Sequence, residues 1–312
     1  MKFISLFAGI GGFDLALTRQ GHECVWANEW DKYAAQIYDK NFNQNTQSLS
    51  EVKQDQEGRD RTLNQDRSDS LLLGHSQSTG NRIDTRDIRT VPTEEIPDHD
   101  LLVGGFPCQA FSIAGKRGGF DDTRGTLFFE IARILREKHT RLFILENVKG
   151  LLSHDNGNTF KTIISTLVEL GYDIQWQVLN SKNFGVPQNR ERVFIIGNLR
   201  GTSRPEVFPV TSNSRKDVGI KYGEQKQTEI ASTICVDYGK NQYQSQYVDI
   251  NPSVYFFGMP KSIRRLTPIE CERLQGFPDN WTAGVSDTQR YKMCGNAVTV
   301  NVVEYIVSKL SA

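Results

Sequence analysis

A chain of 312 residues with 37 basic and 37 acidic side chains can bury a sizeable core, as one large domain with a smaller one beside it. Its zero net charge argues against a generic nucleic-acid coat protein while leaving room for a local basic face. Five cysteines (Cys24, Cys108, Cys235, Cys271 and Cys294) form no CxxC pair and have no His at ligand spacing, so disulfides, zinc or another metal are not expected, and a reducing cytoplasm fits. No apolar run approaches membrane length and Met1 leads directly into a strand-like run, so neither a transmembrane helix nor a signal peptide is expected.

Phe3 to Phe7 reads as a buried strand that runs into Ala8-Gly9-Ile10-Gly11-Gly12, after which Phe13, Leu15, Ala16 and Leu17 suit one face of a helix. This is a nucleotide-type strand, glycine turn and helix, in which the glycines either let a ligand lie against bare backbone or simply make a tight turn. Cys24 to Trp30 is a second strand ending in an acid, Glu29, near the ~20-residue spacing at which an acid meets a ribose hydroxyl in dinucleotide folds. Trp30 reads equally well as a core aromatic. Asp31 to Phe42 has helical spacing through Tyr33, Ala34, Ile37 and Tyr38.

Between Asn43 and Gly105 there is no Phe, Tyr or Trp, and residues 44–83 are rich in Gln, Asn, Ser, Asp and Arg. Such a stretch buries too little surface to order itself well, so it reads as an insertion that lengthens a short connection. A solvated loop without a role is the plain reading; a DNA-contacting or partner-binding loop is the alternative. Asp84 to Ile88 restores order, and Pro92 to Pro97 is a loop or short helix.

Asp100-Leu101-Leu102-Val103 is an apolar strand run that delivers Cys108 into a turn rather than a core. Gly104 and Gly105 permit a tight path and Pro107 fixes its own φ, so the thiol is displayed at a strand end, where open α/β sheets do their chemistry. A lone cysteine is most often a small buried hydrophobe, but Gln109, Ser112, Lys116 and Arg117 make a polar, cationic setting that favours thiolate. A glycine-rich polar segment follows, then a helix with Leu127, Ile131, Ile134 and Leu135 on its apolar side. Leu142 to Val148 repeats the form of the earlier strand, with Glu146 at its far end. Two parallel strands ending in Cys and Glu can place both side chains over one crevice.

Lys161 to Leu170 is an amphipathic helix and Ile174 to Leu179 alternates like a strand; both belong to the scaffold. A turn at residues 183–192 leads into a buried strand, Val193 to Gly197, with Arg190 and Arg192 at its mouth. For either arginine a surface ion pair with Glu191 is the plain reading. From Gly201 to Ile263 helical periodicity disappears and short runs suggest β-structure. Basic residues outnumber acidic ones ten to six from Arg200 to Arg265, the basic part of a neutral chain. Thr267, Pro268, Glu270 and Gly276 give the N-cap, first position, third position and end of a helix that holds the small domain, and Val300 to Leu310 forms a C-terminal helix.

Six blocks occur in order: Phe7-Ala8-Gly9-Ile10-Gly11-Gly12-Phe13, Gly105-Phe106-Pro107-Cys108-Gln109, Glu146-Asn147-Val148, Gln188-Asn189-Arg190-Glu191-Arg192, Arg265-Leu266-Thr267-Pro268-Ile269-Glu270-Cys271 and Gly295-Asn296-Ala297-Val298. In them the chain resembles the DNA (cytosine-5) methyltransferases of bacterial type over almost its whole length. The resemblance implies an α/β fold: a Rossmann-like S-adenosylmethionine-dependent methyltransferase sheet with helices on both faces, plus a small, irregular, mostly-β target-recognition domain. It implies a catalytic and cofactor-binding domain at 1–199, the recognition domain at 200–282, and a segment, 283–312, that returns to the first domain.

The same resemblance implies S-adenosylmethionine against Phe7, Ala8, Gly9, Gly11 and Gly12, with Glu29 on the ribose and Trp30 against the adenine. Asp87 and Ile88 match a third cofactor block, the acid meeting the adenine amino group, with Asp84 as a rival. Gly105, Pro107, Asn296, Ala297 and Val298 complete the pocket. The implied partner is double-stranded DNA, met by Gln109 and Ser112, by Lys116, Arg117 and Arg124 on a loop that closes over the target base, and by Tyr238 and Lys240 in the recognition domain. A companion restriction endonuclease, a monomer and a bacterial or phage-like cytoplasmic setting go with it. Transfer-RNA cytosine methylation and a catalytically silent binding relative are the alternatives.

Cytosine C5 is a poor nucleophile until a thiolate adds at C6, the role implied for Cys108. Glu146 should then donate to or protonate N3 while also meeting the exocyclic amine, which requires a raised carboxyl pKa, while Arg192 holds the ring oxygen and Arg190 steadies the site through phosphate and the catalytic loop. None of this fits inside a stacked duplex, so the base must be flipped out.

Overall fold

The computed structural model of the chain describes residues 1–43, 83–107, 127–203, 205–210, 231–232, 247–249 and 263–310. Apart from Ile83 the expected insertion lies outside the described residues, as do Cys108, Gln109, Ser112, Lys116, Arg117, Arg124, Tyr238 and Lys240.

In chain order the principal strands are β1 (Lys2–Leu6), β2 (Glu23–Asn28), β3 (Leu101–Gly105), β4 (Leu142–Val148), β5 (Tyr172–Asn180), β6 (Gln188–Asn189) and β7 (Glu191–Leu199). Six of them form one sheet in the order β2-β1-β3-β4-β7-β5, with β6 outside it. The pairs β1/β2, β1/β3 and β3/β4 are parallel, whereas β7 runs antiparallel to both β4 and β5. Parallel neighbours need a crossover, and helices α1 (Gly12–Arg19), between β1 and β2, and α3 (Leu127–Lys138), between β3 and β4, supply it. Helix α2 (Lys32–Phe42) follows β2, and Asp31 caps it by accepting from the amides of Tyr33 and Ala34.

Strand side chains alternate between the faces, and here both alternations are apolar, as a sheet covered on two sides requires. Phe3, Leu101, Val103, Leu142 and Ile144 enter a layer shared with α1, α2 and the C-terminal helix. Ile4, Leu6, Leu102, Phe143 and Leu145 enter the opposite layer with α3 and α4 (Asn158–Glu169). The Rossmann-like sheet with helices on both faces is thus observed. Its functional consequence is that the carboxyl ends of β1, β2, β3 and β4 open at one edge.

Three helices close the chain: α5 (Pro268–Leu274), α6 (Asp287–Asn296) and α7 (Val300–Leu310). The expected cap of α5 is present as a full box, the Glu270 amide donating to Thr267 Oγ1 and Glu270 Oε2 accepting from the Thr267 amide at 2.7 Å. Helix α6 has no counterpart in the sequence pattern, because its polar run carries no continuous apolar stripe; burial of Tyr291, Met293 and Cys294 fixes it instead. Residues 266–282, grouped by sequence with the small domain, are anchored on the catalytic body. Phe277 and Trp281 share a core with Ile10 and Phe13. Gln275 is fully buried, donating to the Cys294 carbonyl at 2.7 Å and accepting from Thr299 Oγ1 at 2.8 Å, so its polar atoms are satisfied inside the protein.

Candidate active site

The parallel register sets Gly105 of β3 directly beside Glu146 of β4. A Cβ built on Gly105 would lie 3.1 Å from Glu146 Oε2, so the bare backbone there leaves the acid its room. Asn147, next to the acid, donates from Nδ2 to the Phe106 carbonyl at 2.8 Å and accepts from the Val148 amide at 2.8 Å. It thereby stitches the turn leaving β3 to the strand that carries Glu146. The stitch ends at a buried Phe106 and an exposed Pro107, and Cys108 is the next residue. The sequence contains the signal for this role, an amide side chain adjacent to the acid, although the pattern alone does not assign it.

Glu146 is buried, and loss of hydration raises its carboxyl above the ordinary range, while the positive charges of Arg192 and, less strongly, Arg190 pull it back. Arg192 Nε lies 3.1 Å from Glu146 Oε1, and its Nη1 donates to the Glu191 carbonyl at 2.8 Å. Arg192 Nη2 has no hydrogen-bond partner among the described residues. An acid with a favoured proton and a guanidinium with a spare donor therefore stand side by side at the sheet's edge. The expected surface pair of either arginine with Glu191 does not form; Glu191 pairs with Lys149 at 2.9 Å.

Arg190 lies inward: it is 1% exposed and its Nη2 donates to the carbonyls of Gly295 and Ala297, both at 2.8 Å. It is a strut between the mouth of β7 and the segment after α6.

At the other side of the crevice, Phe7 and Gly9 take positive φ angles of 54° and 57°, and Gly11 one of 81°. A phenylalanine in that region is strained, and such strain gathers at functional turns. Glu29 holds the turn from below, Oε2 accepting from the Gly9 amide at 2.9 Å and Oε1 from the Asp31 amide at 2.7 Å. The three glycines do different work. A Cβ on Gly11 would overlap the Phe42 ring, and one on Gly12 would fall within 2.8 Å of Val298 Cγ1, so protein packing by itself demands glycine at those two. Only Gly9 faces open space, its nearest neighbour being the Phe7 carbonyl at 4.0 Å. Trp30 is 69% exposed beside Glu29, which removes the core-aromatic reading. Ala8 lies partly buried at the turn, Asn296 is exposed, and Ala297 and Val298 are buried behind it.

At the third cofactor block, Asp87 caps a short turn, Ile88–Thr90, and is chelated by Arg89, while Ile88 is 3% exposed in the core with Leu6 and Leu102. Asp84 is likewise chelated by Arg86, but its backbone extends the sheet beside Glu29, whose amide donates to the Asp84 carbonyl at 3.0 Å. The local spacing of acids does not distinguish these arrangements; the arginine two residues after each acid is the signal that both are engaged.

These assignments give contrasting expectations for two glycines. Gly9→Ala is expected to cost roughly 1–2 kcal/mol for a left-handed alanine without a clash, yet to weaken S-adenosylmethionine at least tenfold because its methyl enters the open space. Gly12→Ala is expected to lower stability by about 1–3 kcal/mol through overpacking on Val298, with a smaller loss of binding. Melting curves and calorimetric titration check both, and normal binding by Gly9→Ala would remove Gly9 from the cofactor surface.

A mostly parallel sheet with a glycine turn after β1, an acid after β2 and a buried acid–arginine pair at the end of β4 defines an α/β enzyme of the S-adenosylmethionine-dependent methyltransferase class. The model of the family described as C-5 cytosine-specific DNA methylase matches residues 1–75, 76–233 and 209–312. Type II methyltransferase M.HhaI of Haemophilus parahaemolyticus is 35% identical over 347 residues, covering 100% of this chain and 94% of that protein. Type II methyltransferase M.HpaII of Haemophilus parainfluenzae is 37% identical over 354 residues, covering 99% and 88%. Among solved structures, the Dnmt2 methyltransferase of S. pombe shares the fold with a TM-score of 0.68 at 18% identity, over 99% of this chain and 97% of that one. The chain belongs to the C-5 cytosine-specific DNA methylase family. Its activity is DNA cytosine-5 methylation with S-adenosylmethionine as the methyl donor.

Proposed function

We propose that a cytosine flipped out of duplex DNA enters the crevice between the ends of β3 and β4, where Glu146 and Arg192 receive its ring and Cys108 attacks C6. The observation that carries this reading is the buried Glu146, held at 3.1 Å by Arg192 and given space by Gly105. The three described cysteines are unsuited to the nucleophile's role. Burial pushes the thiols of Cys24 and Cys294 up and that of Cys271 up to about 12, so none of them is a ready thiolate.

In this reading the Cys108 sulfur forms a bond to C6, the proton of Glu146 passes to N3, and Arg192 Nη2 donates to the ring oxygen. These steps make C5 enamine-like. Bound at Gly9, Glu29 and Trp30, S-adenosylmethionine supplies an electrophilic methyl on a sulfonium sulfur; the open face of Gly9 and the exposed indole fit such a group. After C5 is methylated its proton leaves to a base and the C6–sulfur bond breaks, returning Cys108. Lys116, Arg117 and Arg124 contact phosphates beside the flipped base, with Gln109 and Ser112 nearby, and Tyr238 and Lys240 read the duplex from the recognition domain at 200–282. The enzyme acts as a monomer in a bacterial cytoplasm, as the modification half of a restriction-modification pair with a companion endonuclease; the Type II relatives support that setting.

Methyl-labelled S-adenosylmethionine offered with duplex DNA and, separately, with transfer RNA tests the substrate. Label recovered as 5-methylcytosine in DNA is the expected outcome, and label in RNA alone, or in neither, would reject it.

A further inference from the structure

The glycine turn is held from an unexpected direction. Trp281, 271 residues away in the chain, donates from Nε1 to the carbonyl of Ile10, in the middle of the turn, at 2.8 Å. Its ring is 9% exposed, tilted against Phe277 with centroids 5.5 Å apart and edge-on to Phe42 at 5.6 Å. Phe42 is also the ring that closes on Gly11. The backbone around Trp281 is fastened to α2: Asn41 Nδ2 donates to the Trp281 carbonyl at 3.0 Å and Lys40 Nζ to the Ala283 carbonyl at 2.8 Å. Upstream, the same segment runs back through α5 to Arg265 in a short strand, Ile263–Arg265.

We propose that Trp281 is a positioning residue for the cofactor: its indole N–H and ring hold the Gly9–Gly12 turn in the shape that receives S-adenosylmethionine. The inference rests on the reading that this turn seats the cofactor. A turn with left-handed residues at 7, 9 and 11 has many competing conformations once released, and apparent affinity falls in proportion to the fraction that stays competent. The Ile10 carbonyl is the turn's own handle, since its neighbours Gly11 and Gly12 carry no side chain to pin it. A tryptophan supplies what phenylalanine or tyrosine at the same place cannot, a donor on the flank of a fully packed ring.

The test is calorimetric binding of S-adenosylmethionine and of its demethylated product to the full chain without DNA, for wild type, Trp281→Phe, Gly9→Ala and Arg273→Ala. Trp281→Phe keeps a ring and loses the donor; its Kd for both ligands is expected to rise roughly five- to tenfold, the scale of one lost buried hydrogen bond. In steady state, KM for the cofactor should rise by the same factor, with kcat changed less than twofold and the Kd for duplex DNA unmoved. Arg273→Ala, which breaks an exposed ion pair to Asp279 in the same segment, controls for general loosening and should leave Kd as in wild type. A role confined to stability would lower the melting temperature of Trp281→Phe and leave its Kd alone, which would overturn the inference. Should that variant fail to fold, Phe42→Leu removes the ring that backs both Trp281 and Gly11, and an unchanged Kd there would overturn it equally. If Gly9→Ala binds normally, the seat of the cofactor itself is wrong; if Gly9→Ala fails and Trp281→Phe binds normally, only the role of Trp281 is wrong.

Discussion

Glu146→Gln is expected to lower kcat by roughly 10²–10⁴, the range that a positioned general acid contributes, while the Kd for duplex DNA changes little. Glutamine keeps the shape of the side chain beside Arg192, so a loss of this size measures the missing proton rather than a cavity. Cys108→Ser is expected to abolish transfer, because an alcohol offers no thiolate to C6. The pH dependence adds a second reading of the same acid. Burial raises the Glu146 carboxyl, so it keeps its proton at pH values where an exposed glutamate has lost it. Wild-type kcat/KM should therefore fall as pH rises through the folded-state value, and the residual activity of Glu146→Gln should lack that limb. Folding carries the same sign: the native chain binds this proton more tightly than the unfolded one. Stability from the shift is full below the unfolded value of about 4.3 and is lost as pH rises through the folded one. A pH-rate profile identical in the two proteins would remove Glu146 from the proton transfer.

Much of this site was legible in the sequence because its carriers are local patterns. A run of apolar residues that ends in glycine, or in an acid, reads as a strand delivering something to an edge, and β1, β2, β3 and β4 do so at Phe7, Glu29, Gly105 and Glu146. The box Thr267-Pro268-Ile269-Glu270 likewise announces α5 from four residues. What was not legible depends on contacts far apart in the chain. Gly11 and Gly12 look like ligand glycines in any window around them; the packing on Phe42 and Val298 that also requires them is invisible there, and Val298 lies at the opposite end of the sequence. Arg190 and Arg192 stand two residues apart on a strand edge and share a residue type, yet one is swallowed and the other meets the acid. Ile88 is assigned to a binding block by resemblance alone, and its place in the hydrophobic layer beneath β1 and β3 could not be read from the residues around it. Helix α6 escaped because a polar helix buried at Tyr291, Met293 and Cys294 has no stripe to read.

The pair of arginines supplies the second large expectation, one in stability. Arg190→Ala removes two charge-assisted hydrogen bonds, to Gly295 and Ala297, and strips both buried carbonyls of that donor. At about 1.5–3 kcal/mol for each bond to a charged group, the loss should approach 3–5 kcal/mol. For a domain of this size that is a fall in Tm on the order of 10 °C. Arg190→Lys should lie between, since an ammonium cannot reproduce the planar fork that spans two carbonyls. Arg192→Ala, at the rim of the crevice, should lower kcat with a much smaller change in Tm. The strut also reaches the glycine turn, the proposed cofactor seat: Ala297 precedes Val298, and Val298 is the wall against Gly12. Arg190 variants that remain folded should therefore bind S-adenosylmethionine more weakly, an effect that phosphate steadying would not produce. If Arg190→Ala keeps the wild-type Tm while Arg192→Ala loses it, the assignments of the two side chains are reversed.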